Sequence, residues 1–214
     1  MKTVVIDYGA GNVESVFNAL SSLQNDNEIL ISNNPKQIQL ADYLVLPGVG
    51  DFSDCMNGLK SVEGLLSELK KQVLVKKKPF LGICVGMQVL ASIGFENGEH
   101  RGLDFINGRV EKITTKQNLK IPHMGWNEIS IKNQKHSVLK DLKDGEHFYF
   151  ANSYHFICQN QNNILVQVEY GDKMNAIIVK ENILGVQFHP EKSGKSGLLF
   201  LKNFLNWREY TQNV

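Results

Sequence analysis

The chain has 214 residues, 42% of them apolar and 21% charged, with a formal net charge of +1. That length suffices for one well-filled core, and the near-neutral balance gives no electrostatic case for binding nucleic acid or an anionic membrane. No apolar run approaches the ~20 residues needed to span a bilayer, so neither a membrane nor a nucleic acid is an expected partner.

The opening run Met1-Lys2-Thr3-Val4-Val5-Ile6-Asp7 reads as a strand rather than a signal peptide, because Asp7 interrupts it and no longer apolar stretch follows. The strand covers 4–7, and 12–23 has helical spacing through Val13, Val16, Phe17 and Leu20. Strands at 28–32 and 43–46 follow, the second ended by Pro47-Gly48. A helical stretch runs through Leu59, Val62, Leu65, Leu66 and Leu69, and Lys76-Lys77-Lys78 reads as its solvated end. The apolar segment 79–83 is then a buried strand. Such alternation implies a doubly wound, mainly parallel sheet with helices on both faces and a site at the carboxyl ends of its strands. The second half reads as shorter strands (108–114, 148–157, 164–169, 176–179 and 184–188) and a last helix over 196–207. Leu198, Leu199, Leu201, Phe204 and Leu205 form that helix's core stripe. No linker, repeat or low-complexity tract divides the chain, so 1–214 is read as a single domain.

Three cysteines, Cys55, Cys84 and Cys158, cannot all pair and fit no zinc spacing. His100, His136 and His147 are likewise scattered. The expectation is a reducing cytoplasm and no metal or cofactor. Of the three, Cys84 stands apart. In Gly82-Ile83-Cys84-Val85-Gly86 it sits between a strand and the start of a helix, with glycines that allow a sharp turn. This is a nucleophile elbow with cysteine in place of serine, and a helix N-terminus favours the thiolate. Cys55 and Cys158 lack such surroundings and read as packing residues.

His189-Pro190-Glu191 ends another apolar strand. Alone, the triplet reads equally well as a strand terminus in the core. Beside an elbow cysteine it supplies an imidazole to move protons and a carboxylate to hold the ring tautomer. Pro47-Gly48-Val49-Gly50 is an ordinary turn signal, yet next to an elbow its amides, with that of Val85, suit an oxyanion. It lacks the Gly-Lys-Ser/Thr of a phosphate-binding loop. Trp126, in a segment with Pro122 and Gly125, reads as part of an ordered surface loop, a partner contact or a local fold lock.

Together these segments resemble the class I glutamine amidotransferases, whose triad is cysteine, histidine and glutamate. Asp7-Tyr8-Gly9-Ala10-Gly11-Asn12 and Pro122-His123-Met124-Gly125-Trp126-Asn127 narrow the resemblance to the glutaminase subunits of imidazole glycerol phosphate synthases, end to end. The resemblance implies a flavodoxin-like α/β fold with an antiparallel extension, and hydrolysis of glutamine to glutamate and ammonia. It assigns Cys84, His189 and Glu191 to catalysis, and Val49, Gly50 and Val85 to the oxyanion hole once the loop peptide reorients. Gln88, Glu96, Ser153 and Tyr154 would bind glutamine. Asn12, Met124, Trp126 and Lys192 would meet a (β/α)8-barrel cyclase in a heterodimer that uses the ammonia for histidine synthesis, with low glutaminase activity until that partner is loaded. The chain departs from the family pattern at Asn152 (usually histidine), Val85 (usually leucine) and Asn107 (usually proline). Segments 91–99 and 152–155 also suit a relative that feeds a synthase turning an acetamido into an acetamidino group on a surface-polysaccharide sugar. A non-catalytic scaffold is the third alternative, and the intact triad weighs against it.

Overall fold

Val4, Val5 and Ile6 are buried on both faces of a sheet, so the first strand reads as an unbroken apolar run rather than an alternating one. The computed structural model describes residues 1–9, 12–23, 27–114, 119–132 and 134–207; Ala10 and Gly11 of the opening motif lie outside the described residues. The first half supplies β1 (Lys2–Ile6), β2 (Glu28–Ser32), β3 (Tyr43–Gly48), β4 (Phe80–Cys84), β5 (Ile93–Gly94) and β6 (His100–Arg101). The second half supplies β7 (Gly108–Lys112), β8 (His123–Ile131), β9 (His147–Asn152), β10 (Tyr154–Cys158), β11 (Ile164–Tyr170), β12 (Asp172–Lys180) and β13 (Ile183–Val186). The helices are α1 (Val13–Ser21), α2 (Pro35–Leu40), α3 (Phe52–Ser61), α4 (Leu65–Lys70), α5 (Val85–Gln88) and α6 (Gly194–Leu205).

The main sheet has the order β2-β1-β3-β4-β13-β12-β11-β8-β9. Its first five strands are parallel, an order that reproduces the 2-1-3-4-5 of flavodoxin-like sheets with β13 as the fifth strand. From β13 onward every pairing is antiparallel, so the extension expected in the second half is grafted onto the edge of the parallel half. A second, smaller sheet runs β10-β7-β5-β6. The chain moves from β1 to β2 in one direction and returns past β1 to β3. Right-handed crossovers then put α1 and α2 on opposite faces and leave a crevice at the strand carboxyl ends.

Several local expectations give way to tertiary structure. The stretch through Leu59 and Leu69 is two helices, α3 and α4, separated at Gly64, whose φ of 77° no right-handed helix accepts. After α4 the chain makes a π-helical turn over Lys71–Val75. The lysine run is not simply solvated, since Lys77 pairs with Glu181 at 2.5 Å and Lys78 Nζ donates to Gln39 O at 2.6 Å. A short helix, α2, begins on Pro35, with Asn34 capping it by accepting from Lys36 N. Segment 148–157 is two strands in two different sheets, broken at Ser153. Trp126 lies within β8 and not in a loop.

Candidate active site

Cys84 is the last residue of β4 and holds φ 54° and ψ −110°, a conformation costing a non-glycine residue roughly 1–3 kcal/mol. The surroundings over-determine it. A Cβ on Gly86 would lie 2.0 Å from Leu46 O, and one on Gly48 only 2.5 Å from Gly86 N. Only glycines let the end of β3 and the start of α5 approach this closely, and that approach aims the Val49–Gly50 loop at the thiol. Burial pushes the other two thiols, Cys55 and Cys158, up to about 12, so both stay neutral packing groups.

His189 lies three residues beyond β13, its backbone tied to β9 by donation to Tyr149 O at 2.9 Å. Ser193 locks the same turn, donating to His189 O at 2.6 Å and accepting from Tyr149 N at 3.0 Å. The His189 Nδ1–H donates to Glu191 Oε1 at 2.9 Å, with the Glu191 side chain wholly buried. Burial alone would lower the imidazole's affinity for protons. Hydrogen bonds and charge from Cys84, then from Glu191, outweigh it and raise His189 well above its usual 6.5. Asn12 Nδ2 donates to the same carboxylate oxygen at 3.1 Å, while Oε2 finds no partner among the described residues.

Cys84 and His189 face a cavity of about 330 Å³. Its lining brings together most residues expected from the sequence: Val49, Gly50, Val85, Gln88, Glu96, Ser153, Tyr154, Met124 and Lys192. Glu191 stands behind His189 and does not reach the cavity. Glu96 accepts from Phe52 N at 2.9 Å. Burial, helped by Asp51 and Asp54, raises its carboxyl above the usual range. Ser153 and Tyr154 reach the wall because the chain changes sheets there, with Ser153 O fixed by Ile113 N at 2.8 Å. Asn152 also lines the cavity and donates to Tyr154 O at 3.0 Å, supporting that turn.

Asn12 and Trp126 are not lining residues. Met124 and Trp126 are 65% and 56% exposed on the outward side of β8. Trp126 stacks edge-on against Tyr149, and Lys192 Nζ sits 6.0 Å above the same ring. An apolar and cationic face therefore borders the cavity mouth. Gln187, buried between Cys84 and Gln88, opens the segment 187–193 that resembles the family, but the sequence assigns it no role. The bond from Asn12 to Glu191 links residues 179 apart in the chain and has no local signature at all.

Comparison with known proteins gives a consistent picture. The model of the class-I glutamine amidotransferase family matches residues 4–207. The imidazole glycerol phosphate synthase subunit HisH of Rhodospirillum rubrum is 44% identical over 97% of this chain and 99% of its own. The subunit of the same name from Zymomonas mobilis is 46% identical over 95% and 94%, and the HisH 1 of Campylobacter jejuni 45% over 94% and 98%. Among solved structures, PurLQS from Thermotoga maritima superposes with a TM-score of 0.72 at 16% identity, covering 96% of this chain and 97% of that one. A glutamine amidotransferase from the same organism gives 0.61 at 17% identity, over 96% and 83%. At these identities the two structures speak for the fold alone.

Proposed function

The chain belongs to the class-I glutamine amidotransferase family, and from that premise we propose that it is the glutaminase subunit of an imidazole glycerol phosphate synthase. In this reading it hydrolyses glutamine and passes ammonia to a (β/α)8-barrel cyclase, in a cytoplasmic heterodimer serving histidine synthesis. The observation that carries the reading is the meeting of Cys84 and His189 at one small cavity whose mouth is bordered by the exposed Met124, Trp126 and Lys192. The full-length similarity to subunits of that name supports the choice of pathway.

The chemistry follows from the geometry. Cys84 Sγ attacks the side-chain amide carbon of glutamine. The developing oxyanion is held by the Val85 amide and the Val49–Gly50 loop, each donor being worth ~2.7–4 kcal/mol. His189, kept protonated by its partners, gives its proton to the departing ammonia. It then takes a proton from water, which attacks the thioester and releases glutamate, while Glu191 holds the ring tautomer throughout. Glu96, Gln88, Ser153 and Tyr154 surround the space left for the amino-acid end of the substrate. Lys192 and Trp126 stand where a second subunit would cover the mouth.

The test is glutamate release by the purified chain, alone and with the cyclase subunit plus its ribonucleotide ligand. The expected result is strong stimulation by the loaded cyclase and none in Cys84→Ala. No stimulation, with Cys84 still alkylated by a glutamine analogue, would overturn the pathway and point to a synthase that forms an acetamidino group. Failure of Cys84 to react under either condition would leave a scaffold subunit.

A further inference from the structure

Asn175, Asn182 and Asn203 are buried amides, and each gives its N–H groups to backbone carbonyl oxygens. Gln187 behaves otherwise. It is only 1% exposed, yet among the described residues the acceptor for its Nε2 is Cys84 Sγ, at 3.7 Å.

The orientation of this amide is fixed by its neighbours. The Tyr154 carbonyl can only accept, so the Gln88 atom 3.0 Å from it is the nitrogen. That nitrogen also meets Gln187 at 3.1 Å, so the Gln187 atom there is oxygen, and its amide nitrogen is left facing the sulfur. The backbone is equally constrained. Val186 pairs with Ile83 in the parallel register, which sets Gln187 beside Cys84, and Gln187 N donates to Ala176 O at 2.9 Å from the other side.

A neutral thiol is a poor acceptor, and an amide buried against one is close to unpaired. An ionised sulfur is a strong acceptor, because charge-assisted bonds are the strong ones. We propose that Gln187 is a further catalytic residue, whose side-chain N–H, aimed by Gln88, stabilises negative charge on Cys84 Sγ. The inference rests on the reading of Cys84 as the nucleophile. Among the described titratable groups, His189, Tyr8 and Cys55 interact electrostatically with the thiol, and Glu96 and Lys192 line the same cavity. Burial keeps Tyr8 and Cys55 protonated and uncharged, so of the groups that interact with the sulfur His189 supplies positive charge and Gln187 a neutral donor.

The donor serves both ends of the reaction. Before attack it holds the sulfur's electron pair in the thiolate. In acylation that pair forms the C–S bond, the C–N bond breaks, and the proton of His189 leaves with ammonia. In deacylation a water oxygen bonds to the carbonyl carbon and His189 takes the proton. The C–S bond then breaks, and its electron pair returns to Sγ, where the Gln187 N–H receives it again.

The experiment is alkylation of Cys84 by iodoacetamide in the full chain, followed by mass spectrometry at neutral and alkaline pH. Gln187→Met keeps the length and loses the donor. The expected result is a roughly tenfold slower reaction at neutral pH, as for the loss of one charge-assisted bond, and near-equal rates once the thiol is fully ionised. Equal rates at neutral pH in a folded Gln187→Met would overturn the role of Gln187 and leave Cys84 as nucleophile. An unreactive Cys84 in the unaltered chain would overturn the nucleophile reading itself. Should Gln187→Met fail to fold, the unaltered protein decides. The Gln187 side-chain amide proton resonance should move downfield in step with the ultraviolet absorbance of the thiolate, and a resonance that stays fixed would sink the proposal.

Discussion

Asn12 occupies the N-cap of α1 but makes no capping bond, because its amide is turned to Glu191 instead. An asparagine that capped its helix would be worth about 1 kcal/mol of stability. Here that contribution is already forgone, and the side chain instead keeps the buried Glu191 carboxylate in line with His189. Asn12→Ala should therefore lower Tm by only a few degrees, through the lost bond to Glu191 and not through a lost cap, while lowering partner-stimulated glutamate release by about tenfold, the scale of one hydrogen bond to a charged group. A large drop in Tm, measured by thermal melting beside the activity assay, would make Asn12 a structural residue only. The same residue marks the limit of reading a site from its sequence. Cys84 and its flanking glycines, and the His189-Pro190-Glu191 triplet, announce themselves locally. The bonds from Asn12 to Glu191 and from Gln187 to Cys84 join residues 179 and 103 positions apart, and only the fold brings them together.

At the scale of elements, β8 carries a buried histidine in an unusual setting. His123 is stacked between Phe150 and Tyr170 with ring centroids 4.8 and 4.1 Å away. Burial lowers it from 6.5 to about 4. The folded state thus binds fewer protons than the unfolded chain as pH falls through this window, so stability is lost between about 6.5 and about 4. The loss should approach 3 kcal/mol in order of magnitude. Urea unfolding across that range should show the slope, and His123→Phe, which keeps the stack without the titration, should flatten it. β8 was hard to read because Pro122 and Gly125, ordinary turn signals, fall at its start and within it. β9 and β10 were hard for the opposite reason. Phe148, Phe150, Asn152, Phe156 and Cys158 are all buried with the alternation in phase across Ser153, so nothing in the pattern marks a change of sheet. That hidden change is what carries Ser153 and Tyr154 to the cavity wall.

At the scale of the whole molecule, strand–helix alternation made the parallel half legible, since each crossover is local. The position of β13 was not, because a strand from the end of the chain is inserted next to β4, ahead of everything between them. The exposed face beside the cavity also belongs at this scale. Met124 and Trp126 are too exposed to hold the core together. Trp126→Ala should weaken binding of the cyclase by roughly tenfold or more, as for a central aromatic anchor, with Tm unchanged. Calorimetric titration would settle it, and unaltered affinity would remove this face from the interface. The insertion of β13 has a further consequence, for the order in which the protein comes into being. During synthesis Cys84 leaves the ribosome long before Gln187, His189 and Glu191, and non-local parallel pairing is slow. A nascent chain that stops short of β13 therefore carries Cys84 without His189 and Glu191, and under the proposed mechanism it could not act on glutamine. In the proposed reaction ammonia release waits until β13 slots in beside β4, so activity would report that the parallel sheet has been assembled.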